Sequence, residues 1–181
     1  MANRSYLYST DTLPTETASP GRVLCISEHN YDIPLAHKLL VGRNPRIVPS
    51  LIWDPEIGIA GDYAGGAKLL SDLLQAVGRG LEDDEEFADC LDQTSAHLEK
   101  QRAEYFHLET GEILTMLYSE LSEIEEFVTS LAASEIPAAV ARAEAAIAGE
   151  DDAYLAELRK DWQEHFGARY GDVLYFSFAS D

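Results

Sequence analysis

The chain has 181 residues, an ordinary apolar fraction of 46% and a formal net charge of -20, which suits one globular domain and makes nucleic acid and anionic lipid poor direct partners, since both repel a negative surface. No apolar stretch approaches the roughly 20 residues of a membrane span, and the opening Met1-Ala2-Asn3-Arg4-Ser5-Tyr6 lacks the apolar segment of a secretory leader. Cys25 and Cys90 are too few for a disulfide framework, so a cytoplasmic protein with reduced thiols is predicted.

Residues 5–9 alternate polar and bulky side chains and predict a strand. A Thr-, Ser- and Pro-rich loop over 10–21 leads to a second strand over 22–27, which carries Val23, Leu24, Cys25 and Ile26. Pro34 suits a first helical turn, and Leu35, Leu39 and Leu40 recur at helical spacing up to Gly42. Residues 46–53 predict a third strand that Pro49 confines to an edge or a bulge, and residues 57–60 a fourth. Asp62 is placed to cap a helix with Leu69, Leu70, Leu73, Leu74 and Val77 on its inner face, ended by Gly78 and Gly80.

The second half reads as helical. Phe87, Leu91, Thr94, Leu98, Gln101, Tyr105 and Leu108 recur at steps of three and four. Thr110-Gly111 interrupts, and Leu114, Leu117, Leu121, Ile124, Val128 and Leu131 resume the spacing. Together they predict an antiparallel hairpin of two long helices with a heptad seam. Pro137 begins a third helix with Val140 and Ile147 inward, and Asp151 opens a fourth with Leu155, Leu158, Trp162 and Phe166 on one face. Residues 173–178 are rich in strand formers and predict a last strand that returns to the N-terminal sheet. The expected fold is α+β. It has a small, mainly antiparallel sheet from the N-terminal strands plus the C-terminal strand, with a long acidic helical hairpin and two further helices. One domain is expected, with a near-neutral part (1–80), an acidic helical part (81–170) and the returning strand (171–181).

Charge separates these parts. Residues 1–80 hold 8 acids and 7 bases, a net of -1, whereas residues 81–181 hold 25 acids and 6 bases, a net of -19. No Lys or Arg stands between Arg102 and Arg142, although surface helices ordinarily interleave Lys with Glu at i,i+4. Such self-repulsion destabilises the fold, and a cationic partner relieves it. The acids expected to meet that partner are Glu82, Asp83, Asp84, Glu85 and Glu86 in one run, and Glu112, Glu120, Glu123 and Glu126 in the second helix of the hairpin. Apolar or aromatic residues at the centre of the contact would supply most of the affinity. The alternative is a plain solvated face.

Catalytic signatures are weak. Glu28, His29, Tyr31, Asp32, Trp53, Asp54, Asp62 and Tyr63 follow three predicted strands. Strand ends lying side by side would bring them into one cleft suited to acid/base or metal chemistry. The alternative is turn chemistry, in which Asn and Asp bond their own backbone. Residues 61–68 depart from a phosphate loop, because Ala67 separates Gly66 from Lys68 and Leu69 follows. Glu104 and His107 make one Glu-x-x-His step where a carboxylate-bridged metal pair in a bundle needs two. Neither cysteine has a basic neighbour to activate it. No cofactor and no metal are expected.

The opening Met1-Ala2-Asn3-Arg4-Ser5-Tyr6-Leu7-Tyr8-Ser9, with Ile26-Ser27-Glu28, Asn30-Tyr31-Asp32-Ile33-Pro34-Leu35 and Gly61-Asp62-Tyr63, resembles a bacterial cytosolic family of unknown function over roughly the first 80 residues. Such proteins are similar in size and acidity to the immunity proteins that shield bacteria from secreted toxins. The resemblance implies no reaction and no catalytic residue. The first expectation is therefore a non-catalytic interaction protein, an immunity protein or antitoxin that neutralises a basic toxin. A nuclease is the fitting toxin class, because nucleases bind phosphate. Two alternatives stand: a small enzyme or ligand-binding protein using the 28–63 cleft, and a homo-oligomeric scaffold paired through the heptad seam.

Overall fold

The computed structural model describes residues 3–53, 57–168 and 173–174. Five strands, β1 (Arg4–Thr10), β2 (Val23–Asn30), β3 (Arg46–Val48), β4 (Gly58–Asp62) and β5 (Tyr105–Glu109), form one antiparallel sheet in the order β2-β1-β5-β4-β3. The α+β expectation therefore holds. The strand expected over 46–53 ends at Val48 on the sheet edge, and Pro49, which lacks an N–H to donate, follows it.

Successive strand side chains point to opposite faces, so the register sorts the residues. Leu7, Ile59, Phe106 and Leu108 share one face and are fully buried, while Tyr6, Tyr8, His107 and Glu109 share the other. Helices α1 (Leu35–Leu40), α2 (Tyr63–Gly78) and α3 (Glu85–Lys100) lie against the apolar face. Tyr63 of α2 stacks on Phe106 at 4.0 Å, and His97 of α3 reaches the carbonyl of Ile26 at 2.7 Å. Helix α2 also touches α6 (Ile136–Ala148) and α7 (Asp152–Lys160), so it sits at the centre of the helical layer. The close approach of the end of α1 to the β4–α2 junction explains two glycines there. A Cβ at Gly66 would collide with the carbonyl of Leu40, and one at Gly61 with that of Val41.

The expected helical hairpin does not form. Helix α3 ends at Lys100, and residues 105–109 become the middle strand of the sheet. Tyr and Phe favour strands, and the segment gains backbone partners on both sides, which outweighs the helical spacing of Tyr105 and Leu108. The second half of the supposed seam breaks as well. Helix α4 (Gly111–Leu117) stops before Tyr118, and α5 (Leu121–Ser130) starts afresh behind a reciprocal capping box between Glu120 and Glu123. Ile124, Val128 and Leu131 point inward as expected, but Leu117 and Leu121 flank the break and are 59% and 50% exposed. Helix α5 runs on through a π-helical turn, Leu131–Glu135, into α6. Pro137 accounts for that turn, since it has no N–H for the preceding helix and its ring would crowd the carbonyl four residues back.

Asp151 caps α7 as expected, accepting from the Tyr154 N–H at 3.0 Å, and α8 (Trp162–His165) follows. Val173 and Leu174 are buried in a bend, and residues 175–178 of the expected last strand lie outside the described residues.

One buried base sits between sheet and helices. His37 is 1% exposed, with its ring nitrogens 3.3 Å from Ser5 Oγ and 2.9 Å from Ser27 Oγ. Burial, and secondarily the nearby His29, pushes its pKa from 6.5 down to about 3. Burial also lowers that of half-buried His97. Below pH 6.5 the unfolded chain takes up protons that the folded chain refuses. The contribution of His37 to stability is therefore fully present above pH 6.5 and is lost as pH drops toward 3. We expect His37 alone to give a slope of about 1.4 kcal/mol per pH unit through most of that window. Urea denaturation at pH 7, 6 and 5 should show it, with the slope reduced in His37→Gln. Gly66→Ala should cost about 3 kcal/mol or more by the same assay. Gly149→Ala, at a φ of 77° with open space around it, should cost only about 1 kcal/mol.

Candidate functional site

Polar side chains gather at one end of the sheet, where a cavity of about 520 Å³ opens between the β2–α1 turn and α8. The end of β2 supplies His29 and Asn30, the turn supplies Tyr31 and Asp32, and Lys38, Gln163, Glu164 and His165 come from the two helices. The turn is held from within. The Tyr31 N–H donates to the Asn3 carbonyl at 2.8 Å, Ser5 Oγ donates to the Asp32 carbonyl at 2.7 Å, and Asp32 Oδ1 accepts from the Ile33 N–H. Tyr31 pays for this turn with a φ of 65°, a left-handed conformation that suits Gly or Asn better than an aromatic. Gly167, at a φ of 76°, backs the far wall, where a Cβ would press on His29 and Pro34.

His29, Tyr31 and Asp32 thus meet as the sequence led us to expect, but the larger cleft does not assemble. Glu28 neighbours His29 along β2 and so points to the opposite face, where it is buried and pairs with Arg4 at 2.9 Å. The ion pair ties the Glu28 carboxylate to Arg4, and Glu28 is not among the residues that line the cavity. Asp62 and Tyr63 lie at the other end of the sheet. The antiparallel register sets the end of β4 beside Tyr105, while the end of β2 pairs with Arg4. Asp62 there binds Arg46 at 2.8 Å and Asn44, and the Tyr63 hydroxyl donates to the Leu98 carbonyl. Trp53 stands over Gly111, on the far side of β5 from β2. Asp54 lies outside the described residues.

A second cluster escaped the sequence reading because it sits on β5. His107 Nε2 is 2.8 Å from Glu109 Oε1, and both residues are buried. Glu109 also accepts from Ser50 Oγ at 2.8 Å and from the Leu51 N–H at 2.6 Å, while Ser50 Oγ accepts from the Ile52 and Trp53 N–H groups. The carboxylate is the anchor of the loop that carries Trp53. The period-two spacing of His107 and Glu109 was the available signal. The Glu104-x-x-His107 step belongs to this strand region rather than to a helix. Among the described residues no group of three or more His, Cys, Asp or Glu side chains is arranged to hold a metal ion, and no helix is long and apolar enough to cross a membrane.

The acids divide by role. Asp84 caps α3, accepting from the Phe87 N–H at 2.9 Å, and its other oxygen accepts from Trp162 Nε1 at 3.1 Å. Glu112 accepts from the Arg4 N–H at 3.2 Å and the Tyr6 hydroxyl at 3.0 Å. Burial, followed by this contact with Glu112, raises the Tyr6 pKa. Glu82, Asp83, Glu85, Glu86, Glu120, Glu123 and Glu126 are exposed. Among the described residues none of the nine acids expected to meet a partner belongs to an ion pair. Three of the bases pair with other acids: Arg43 with Glu144, Lys38 with Glu135, and Arg142 with Asp151 and Glu157.

We expect Glu109→Ala to cost about 3 kcal/mol, because it strands Ser50, the Leu51 N–H and His107 without their acceptor. Loss of the anchor should also shift the Trp53 fluorescence to the red in the folded state.

A family described as a domain of unknown function (DUF7822) matches residues 11–155, and the chain belongs to that family. No curated protein matches the chain. No solved structure matches it either.

Proposed function

We propose that this member of a family without an assigned activity is a non-catalytic interaction protein that binds a basic protein through the surface around α4. The observation that carries the reading is a coincidence of apolar exposure with unpaired charge. Among the described residues, four of the eight exposed large hydrophobic side chains lie on this short helix, against its first residue or at the start of the next helix. Trp53 stands at its start, where the indole covers Gly111; Met116 and Leu117 are at its end; Leu121 opens the next helix. Glu120 and Glu123 flank the apolar residues, and Glu126 follows one turn on. An apolar centre with Trp among its anchors and a charged rim is the anatomy of a protein interface. An anionic rim selects a cationic partner and speeds encounter with it. The run Glu82–Glu86 adds to the field but has no exposed large hydrophobic beside it, so it steers rather than anchors.

The partner class that fits is a secreted bacterial toxin whose cationic groove handles nucleic acid, with this chain as the immunity protein or antitoxin that blocks it. An acidic surface can occupy a groove built for phosphate. The product of the adjacent reading frame is the first candidate to purify. We expect it to be basic and to bind with an association rate that falls at least tenfold between low salt and roughly 0.5 M salt, as screening of steering charges requires. Leu117→Ser and Trp53→Ala should each weaken the complex at least tenfold through faster dissociation, with the fold intact by circular dichroism. An association indifferent to salt, or one that both substitutions leave unchanged, would overturn the proposal.

A further inference from the structure

The cavity beside β2 has no part in the contact around α4, and its lining has a chemistry of its own. It is rich in hydrogen-bonding groups but has no surplus of positive charge. Lys38 is the one fixed cation among its described lining residues and already lies 3.3 Å from Glu135. Asp32 and Glu164 add two carboxylates. A phosphate or carboxylate ligand would face those anions with no arginine among the described lining residues to receive it.

The side chains match a different ligand. The Gln163 amide donates to Glu86 at 3.1 Å and keeps its oxygen as an acceptor, the Asn30 oxygen accepts from Arg4 at 2.9 Å while its N–H groups are donors, and Asp32 adds carboxylate acceptors, a mixture that suits adjacent hydroxyl groups. Tyr31 adds an aromatic ring that is 61% exposed, on a backbone conformation that is costly for such a residue. Its side chain gains little packing in return for that cost. The floor is rigid, because Ser5 links the Asp32 carbonyl to buried His37, and His37 in turn meets Ser27. A sugar ring presents hydroxyls around its rim and a face of C–H bonds that stacks on an aromatic ring.

We infer that this cavity is a binding site for a neutral saccharide, with Tyr31 as the stacking platform and Asp32 and Gln163 as hydroxyl-binding groups. The volume of about 520 Å³ accommodates a mono- or disaccharide. The test is an amide NMR titration of the full chain with glucose, galactose, mannose, N-acetylglucosamine and maltose. Glucose 6-phosphate and putrescine serve as the anionic and cationic probes. At least one neutral sugar should shift the resonances of residues 29–38 and 163–167 in a saturable way. Tyr31→Asn removes the ring while keeping a residue that tolerates the left-handed backbone. It should weaken binding at least tenfold without lowering the melting temperature of the free protein. Gln163→Ala, on exposed α8, should weaken it several-fold. Silence from every neutral sugar, binding of only a charged probe, or a sugar response that survives both substitutions would overturn the inference. Binding at α4 is measured separately, so either reading can fail alone.

Discussion

The sheet is held together by the backbone pairing of β5 with β1 on one side and β4 on the other. Without that strand the N-terminal region would contain two separate strand pairs, β2 with β1 and β4 with β3. Insertion of β5 joins them and completes the apolar face with Phe106 and Leu108, against which α2 packs through Tyr63. The same insertion carries His107 and Glu109 into a buried setting where each polar atom needs a partner. Ser50 and the Leu51 N–H meet the carboxylate, and the loop that follows β3 is fixed as a result. The position of Trp53 against α4 is thus a downstream effect of strand pairing.

The near-neutral half of the chain was largely legible. Alternation in residues 5–9, the apolar run before Ser27 and the leucine spacing of α2 report local periodicities that tertiary packing then uses unchanged. Pro49 correctly marked an edge. The acidic half was misread at one place with wide consequences. Tyr105 and Leu108 satisfy a helical step as well as a strand one, and no local signal tells that β1 and β4 lie open to receive them. Once that segment is a strand, the long hairpin cannot exist, and the heptad seam ends in two exposed leucines. The expected cleft failed for a related reason. Strand β4 ends on the opposite side from β2, which removes Asp62 and Tyr63, whereas β3 ends on the same side as β2 but with three strands between them, which removes Trp53. His29, Tyr31 and Asp32 survived as a group because they are contiguous in the chain.

Net charge also proved to be a mixture of roles. Glu28, Asp84, Glu109 and Glu112 are internal fittings, each bonded to a named donor. Among the described residues the acids of α5 have no such side-chain duty beyond the capping box of its first turn. Arg142 lies beyond them on α6 and is spent on Asp151 and Glu157, so it gives α5 no relief. The electrostatic field of the molecule is therefore set by a subset of its carboxylates, concentrated where bases are absent.

The central strand has a further consequence for synthesis. Tyr6 pairs with Glu109, a contact between residues about a hundred positions apart, and such pairings are slow to form because a long loop must close first. A ribosome that has released only the near-neutral half has delivered β1 and β4 with bare edges and hydrophobic faces uncovered. That nascent intermediate is an aggregation hazard until β5 emerges. Truncated or stalled products of this gene would be insoluble, and its expression would depend on chaperones that shield those edges during translation.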